Sequence, residues 1–187
     1  MKRRASAAML ALLMSACTAA PAPTASSDKP TVAQPLREPD VRYEPSPQPV
    51  VRAMLELAQV KEGDLLYDLG SGDGRIPITA AREHGARAVG IEIDPELVAL
   101  ARRNAAKAGL GNRVAFINQD MFETDLSSAT VVTLFLYPDV NLKLRPKLKS
   151  ELRPGTRVVS HWHDMADWAP DQTITVMDRP VYLWIIR

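Results

Sequence analysis

The densest run of chemistry-bearing residues is Tyr67-Asp68-Leu69-Gly70-Ser71-Gly72-Asp73-Gly74-Arg75. An apolar run precedes it and a helical pattern follows, so the glycines fall on a strand-to-helix turn. Such a turn lets a ligand approach the backbone closely. The following helix aims its first amides at the same place. A dinucleotide fingerprint requires a third glycine three positions after the second; Arg75 stands there, which excludes it. Two carboxylates, Asp68 and Asp73, crowd the turn. They would repel a pyrophosphate and suit a ligand with a cationic end. The plainer alternative is a generic tight turn.

Two further acidic positions follow in order. Glu92, in Gly90-Ile91-Glu92-Ile93-Asp94, lies 20 residues after Gly72, at the end of a second apolar run. An acid there can accept from both hydroxyls of a ribose, or it is a solvent-facing acid beside a helix cap, the role that suits Asp94. In Asn118-Gln119-Asp120-Met121-Phe122, Asp120 can accept from an adenine amino group and Met121 can cover the ring. Further on, His161-Trp162-His163-Asp164 ends another apolar run. His163 can serve as a base, Trp162 as a wall, or the group as a structural rim. Two histidines and Asp164 could hold a metal, but no further ligand cluster supports one, and none is expected.

Positioning these groups requires alternating strands and helices. The spacing predicts a helix over Pro47–Gln59 and a strand over Leu65–Leu69. A helix over Ile76–His84 tolerates Pro77 in its first turn. A strand over Ala88–Ile93 precedes a helix over Pro95–Ala108, capped by Asp94 and stopped by Gly109. Strands follow at Val114–Asn118 and Thr130–Leu136. A helical stretch over 139–152 is interrupted or restarted at Pro146, and a strand covers Thr156–Ser160. Thr173–Met177 and Val181–Ile186 pair as an antiparallel hairpin around Asp178-Arg179-Pro180. This order calls for a doubly wound, mostly parallel sheet with right-handed crossovers. The Lys and Arg residues from Lys143 to Arg153 form a solvated helix face or a surface for an acidic partner.

The first fifty residues stand apart from the fold. Lys2, Arg3 and Arg4 precede a short apolar run, Ala5–Ala16, too short to span a bilayer but suited to an export signal over residues 1–17. Met14-Ser15-Ala16-Cys17 resembles the lipobox of bacterial lipoproteins, with Cys17 as the lipidated residue. Met14 departs from the usual leucine and leaves ordinary cleavage open. Residues 18–42 read as a linker, because eight of the 15 prolines fall between Pro21 and Pro49 and such a stretch buries too little to offset its ordering entropy. The folded domain is expected over 43–187. Of 187 residues, 23 are Lys or Arg and 22 Asp or Glu, a formal charge of +1. That balance argues against a nucleic-acid coat protein. One cysteine excludes a disulfide framework and a multi-cysteine zinc site.

The set DLGSGDGR, VGIEIDPELV, QDMF and the terminal hairpin resembles the class I S-adenosylmethionine-dependent methyltransferases. These have a Rossmann-like, seven-stranded, mostly parallel sheet with its last strand reversed. Tyr43-Glu44-Pro45-Ser46-Pro47, DLGSGDGRI and the segment from Thr130 to Ser160 resemble, more narrowly, the small non-SET lysine methyltransferases. These include the enzymes that modify the c-subunit of ATP synthase and the adenine nucleotide translocase. The resemblance implies S-adenosylmethionine as cofactor and a protein lysine ε-amine as acceptor. It implies that Asp68, Gly70, Ser71 and Gly72 hold the methionine end, Glu92 and Ile93 the ribose, and Asp120 and Met121 the adenine. Tyr43, Pro45 and Ser46 would fold over the cofactor as a lid. Leu136, Tyr137, Pro138 and Trp162 would line the acceptor channel, with Tyr137 orienting the nitrogen or serving only as a packing residue, and His163 as the candidate base.

Export and this cofactor conflict, since the leader implies the periplasmic face of a bacterial membrane and S-adenosylmethionine is made in the cytoplasm. Either the leader does not direct export, or the cofactor is available outside, or the domain senses an adenosyl ligand without turnover. A small-molecule acceptor is a further alternative. The expected protein is a monomer that acts on protein, not nucleic acid, and meets the membrane only through its lipid.

Overall fold

The computed structural model of the chain describes residues 36–187. The export signal, Cys17 and the linker as far as residue 35 lie outside the described residues. The first helix, α1 (Gln48–Leu57), has prolines at its N-cap and first turn and buries Val50, Val51, Met54 and Leu55. It stops two residues earlier than the spacing predicts, because Gln59 takes a left-handed conformation, φ 50°. The chain then runs β1 (Leu65–Leu69), α2 (Arg75–His84), β2 (Arg87–Glu92), α3 (Pro95–Lys107), β3 (Val114–Asn118), β4 (Val131–Leu134), α4 (Pro138–Glu151), β5 (Arg157–His161), β6 (Gln172–Val176) and β7 (Arg179–Ile185).

The seven strands lie in the order β3-β2-β1-β4-β5-β7-β6. All pairs up to β5 are parallel, while β7 runs antiparallel to both β5 and β6. Strand order reverses between β1 and β4, where an open sheet of this kind forms its ligand crevice. Each face carries its own core. Met54, Leu55, Ala80 and Ala101 of α1–α3 pack on Leu66, Val131 and Val159. On the other face Val140, Leu144 and Leu148 of α4 meet Leu69, Val132, Leu134 and Trp184. Val131 and Val132 fall in different cores because successive strand side chains point to opposite faces. Fully burying one such aliphatic side chain contributes about 1.5–3 kcal/mol.

Three further elements differ from the sequence expectation by more than a residue at one end. Helix α4 runs unbroken through Pro146; the carbonyl that Pro146 leaves without a donor belongs to Leu142, an exposed position. Strand β4 ends at Leu134, where its ladders to β1 and β5 both end, which frees Phe135 and Leu136 to line the crevice. The hairpin turns on Met177 and Asp178, both with positive φ, so Arg179 and Pro180 already belong to β7.

Candidate functional site

Asp68 ends up buried because its position in β1 faces the same core as Leu66. Its one side-chain partner is Thr133, directly opposite in β4, whose Oγ1 donates at 2.7 Å. Burial pushes the Asp68 carboxyl up to about 7, the charges of Glu92 and Asp73 push the same way, and the Thr133 hydrogen bond opposes them. A group in this state gains from a nearby cation.

Gly70, Gly72 and Gly74 all have positive φ, as the turn after β1 requires. Gly72 answers a second demand. A Cβ there would sit 2.5 Å from the Tyr43 ring, so the missing side chain makes room for the 43–46 segment as well as for a ligand. That segment is tied down on both sides. Arg75 Nη1 donates to the Ser46 carbonyl at 2.8 Å, and Ser46 Oγ lies 2.8 Å from His161 Nδ1. Arg75 is itself paired with Asp73, which holds that carboxyl below its usual range against the opposing effect of burial. Tyr43, Pro45 and Ser46 line the same cavity as Asp68, Gly70 and Ser71. Ser71 Oγ is buried without a partner.

Glu92 accepts from three backbone amides: Gly72 N at 2.8 Å on Oε2, and Ile93 N at 2.8 Å and Asp94 N at 3.1 Å on Oε1. It therefore welds the loop after β1 to the loop after β2. A carboxylate has about four lone-pair sites, so room remains on Oε2 for one further donor, such as a ribose hydroxyl. Ile93 lines the cavity beside it. Asp94 caps α3, accepting from Glu96 N at 2.8 Å.

Asp120 and Met121 also line the cavity. Arg37 holds Asp120, with Nε to Oδ2 at 2.5 Å and Nη2 to Oδ1 at 3.0 Å, and pairs also with Asp40. This contact keeps the Asp120 carboxyl below the ordinary range. Residues 37–42, assigned to the linker from composition, thus contribute to the cavity wall.

On the acceptor side Leu136 and Phe135 line the cavity, and Leu136 Cδ2 comes within 2.9 Å of where a Gly70 Cβ would be. Tyr137 stands exposed at the N-cap of α4 and Pro138 begins that helix; neither they nor Trp162, expected in the acceptor channel, line the cavity, because the chain turns into α4 directly after Leu136. Trp162 is exposed, has φ 72°, and carries the Arg179 guanidinium 4.9 Å from its ring. His163 is half-buried, which lowers its pKa; its carbonyl, not its ring, is engaged, by Ser160 and Asn141. The buried histidine beside the cavity is His161. Sequence reasoning missed the roles of His161, Arg37 and Phe135; the one available signal was that His161 and Phe135 stand where neighbouring apolar runs end. Among the described residues, no group of three or more His, Cys, Asp or Glu could hold a metal ion.

The donor set fits S-adenosylmethionine. A buried carboxyl at Asp68 and a free lone pair on Glu92 belong to residues that line one cavity bounded by apolar Leu136, Ile93 and Met121, and Ser71, which also lines it, has its hydroxyl packed without a partner against Gly90.

Comparison with known proteins agrees. The family model of the ANTKMT methyltransferase domain matches residues 68–172. A protein-lysine N-methyltransferase of Saccharolobus islandicus (strain REY15A) is 48% identical, over 79% of this chain and 95% of that protein. The ATP synthase c-subunit lysine N-methyltransferase of Xenopus laevis is 34% identical, over 76% of this chain and 62% of that protein. The adenine nucleotide translocase lysine N-methyltransferase of Mus musculus is 40% identical, over 64% of this chain and 52% of that protein. The chain thus spans little more than half the length of these two animal relatives. A Salinibacter ruber protein, described as an RNA methyltransferase and solved with S-adenosyl-L-homocysteine, is 62% identical, with a TM-score of 0.76 over 76% of this chain and 94% of that one. The chain belongs to the ANTKMT methyltransferase domain family and is an S-adenosylmethionine-dependent methyltransferase of class I fold.

Proposed function

We propose that the chain methylates the ε-amine of a protein lysine. The observation that carries this reading is the 48% identity to a protein-lysine N-methyltransferase across nearly its whole length. When bound, S-adenosylmethionine supplies an electrophilic methyl for in-line transfer to a neutral amine. The chain's residues bind, orient and exclude water, and such positioning can be worth about 7–11 kcal/mol. Asp68 and Ser71 would hold the methionine end, Glu92 the ribose, and Asp120 and Met121 the adenine. Phe135 and Leu136 form an apolar wall that favours an amine in its neutral form. Burial lowers His161 to about 4 and lowers His163 as well, so neither imidazole is a strong base for an ammonium. Tyr137 and Trp162 offer a rim against which the acceptor segment can lie. The test is incubation of the full chain with labelled S-adenosylmethionine and a lysate of its host, followed by mass spectrometry of labelled protein. Methyl-lysine supports the proposal; label confined to other residues or small molecules sinks it.

The description of the Salinibacter ruber protein favours RNA as a second reading. The near-neutral charge of the chain weighs against it. Label removed by ribonuclease and not by protease would decide for RNA. We further propose that the enzyme is a monomer tethered through Cys17 at the outer face of a membrane. Labelling with a fatty-acid analogue, abolished by Cys17→Ser, tests the tether, and protease accessibility in whole cells tests the side.

A further inference from the structure

His161 is fully buried at the end of β5. Its ring lies against Phe135, with centroids 4.0 Å apart. Nδ1 is 2.8 Å from Ser46 Oγ, whereas Nε2 is buried without any partner. Burial, aided by the charges of Arg179 and His163, keeps the imidazole neutral down to about pH 4. A neutral imidazole carries one N–H. Placed on Nε2, that proton would be a buried donor with no acceptor, a rarer and costlier defect than an empty lone pair. The proton therefore belongs on Nδ1, and Nδ1–H donates to Ser46 Oγ. The hydroxyl hydrogen of Ser46 is then uncommitted. No other hydrogen bond engages Oγ among the described residues, and the Ser46 carbonyl is fixed separately by Arg75.

Ser46 lines the same cavity as Asp68 and Gly70. The amino-acid end of S-adenosylmethionine carries a carboxylate beside its ammonium. Asp68 suits the ammonium and repels the carboxylate, so the carboxylate needs a donor elsewhere. Arg75 is committed to Asp73 and the Ser46 carbonyl, and Arg37 to Asp120 and Asp40. Arg42 also lines the cavity but is exposed, where an ion pair contributes little. We propose that His161 is a positioning residue which turns the Ser46 hydroxyl into the cavity as the donor to the cofactor carboxylate. The inference rests on the cofactor assignment and adds the group that reads its acid end.

The test is calorimetric titration of the full chain with S-adenosylmethionine and with its decarboxylated analogue, which keeps the ammonium and sulfonium. Ser46→Ala is expected to weaken S-adenosylmethionine about tenfold, the size of a lost hydrogen bond to a charged group, and to leave the analogue unchanged. An Asn side chain places a nitrogen where Nδ1 stands, and a Gln places one where Nε2 stands. His161→Asn is therefore expected to hold affinity within about threefold and His161→Gln to match Ser46→Ala. Equal weakening of both ligands by Ser46→Ala, or retention by His161→Gln and loss by His161→Asn, overturns the proposal. Should the His161 variants not fold, nitrogen-15 spectra of the unsubstituted chain decide it: an Nδ1–H tautomer supports the proposal and an Nε2–H tautomer overturns it. If the unsubstituted chain binds neither ligand, the cofactor assignment itself falls, a result distinct from the others.

Discussion

Thr133 Oγ1 donates to Asp68 Oδ1 at 2.7 Å across the β1–β4 ladder, with both residues buried. One neutral donor does not offset the loss of water around a carboxylate, so Asp68 sits near 7 in the free protein. A bound cation would favour the ionised form. Below pH 7 binding must therefore expel a proton, and affinity for S-adenosylmethionine should fall up to tenfold for each unit the pH drops. Above pH 7 the affinity should level off. Titrations in buffers of different ionisation enthalpy should show about one proton released near pH 6 and none near pH 8.5. Proton release that does not change between these pH values would remove Asp68 from the site.

The same shift has a consequence for stability. The folded pKa lies above the unfolded value, so the contribution of Asp68 is fully present below about pH 4 and is lost as the pH rises through about 7. The ionised carboxylate thus destabilises the free protein at pH 8 by an amount on the order of 4 kcal/mol. Asp68→Asn should raise the melting temperature at pH 8, have little effect at pH 4.5, and abolish cofactor binding. A melting temperature lowered by Asp68→Asn at pH 8 would contradict this account.

How much of this was legible in the chain depends on sequence distance. Asp68, the glycine turn and Glu92 lie within one strand–helix–strand unit, and turn chemistry and spacing expose them. The alternation of strands and helices and the terminal hairpin followed from the apolar runs; the order of strands in the sheet is seen only in the structure. Continuity of α4 did not, because the tolerance of Pro146 depends on which face its freed carbonyl meets. Ser46–His161 spans 115 residues and Arg37–Asp120 spans 83. Neither pair has periodicity or local signature; each exists only because a segment with a linker-like composition folds back over the sheet edge.

Of the roughly four lone-pair sites of Asp120, Arg37 and the Phe122 amide fill three, so an adenine amino group has one site left, on Oδ2 beside the Arg37 guanidinium, and shares the carboxylate with that charge. A partly exposed ion pair is worth about 1 kcal/mol. Arg37→Ala should therefore tighten S-adenosylhomocysteine binding about fivefold, and the gain should vanish in an Arg37→Ala/Asp120→Ala double variant. Weaker binding by Arg37→Ala would instead make Arg37 part of the adenine pocket.

Gly72→Ala places a methyl against the Tyr43 ring at a position with φ 52°. Strain and overlap should together cost about 1–3 kcal/mol of stability. Tyr43→Ala in the same chain should recover the overlap part without restoring cofactor affinity, since it removes a side chain that lines the cavity. Thermal melts of the four chains of this cycle check the coupling; additive effects would show that Tyr43 does not rest on Gly72.

Trp162 holds a left-handed backbone, φ 72°, while nearly half its surface faces solvent beneath Arg179. A bulky residue in that region costs about 1–3 kcal/mol, and glycine would adopt it freely. The hydrogen bond its backbone N–H donates to the Pro180 carbonyl at 2.8 Å survives such a change. Under the proposed function the ring serves the acceptor, which is what would retain the strain. Trp162→Gly should therefore raise the melting temperature, leave S-adenosylmethionine affinity unchanged, and raise KM for the protein acceptor. Loss of stability on this substitution would show the ring to be a packing element, and an unchanged acceptor KM would take it off the rim.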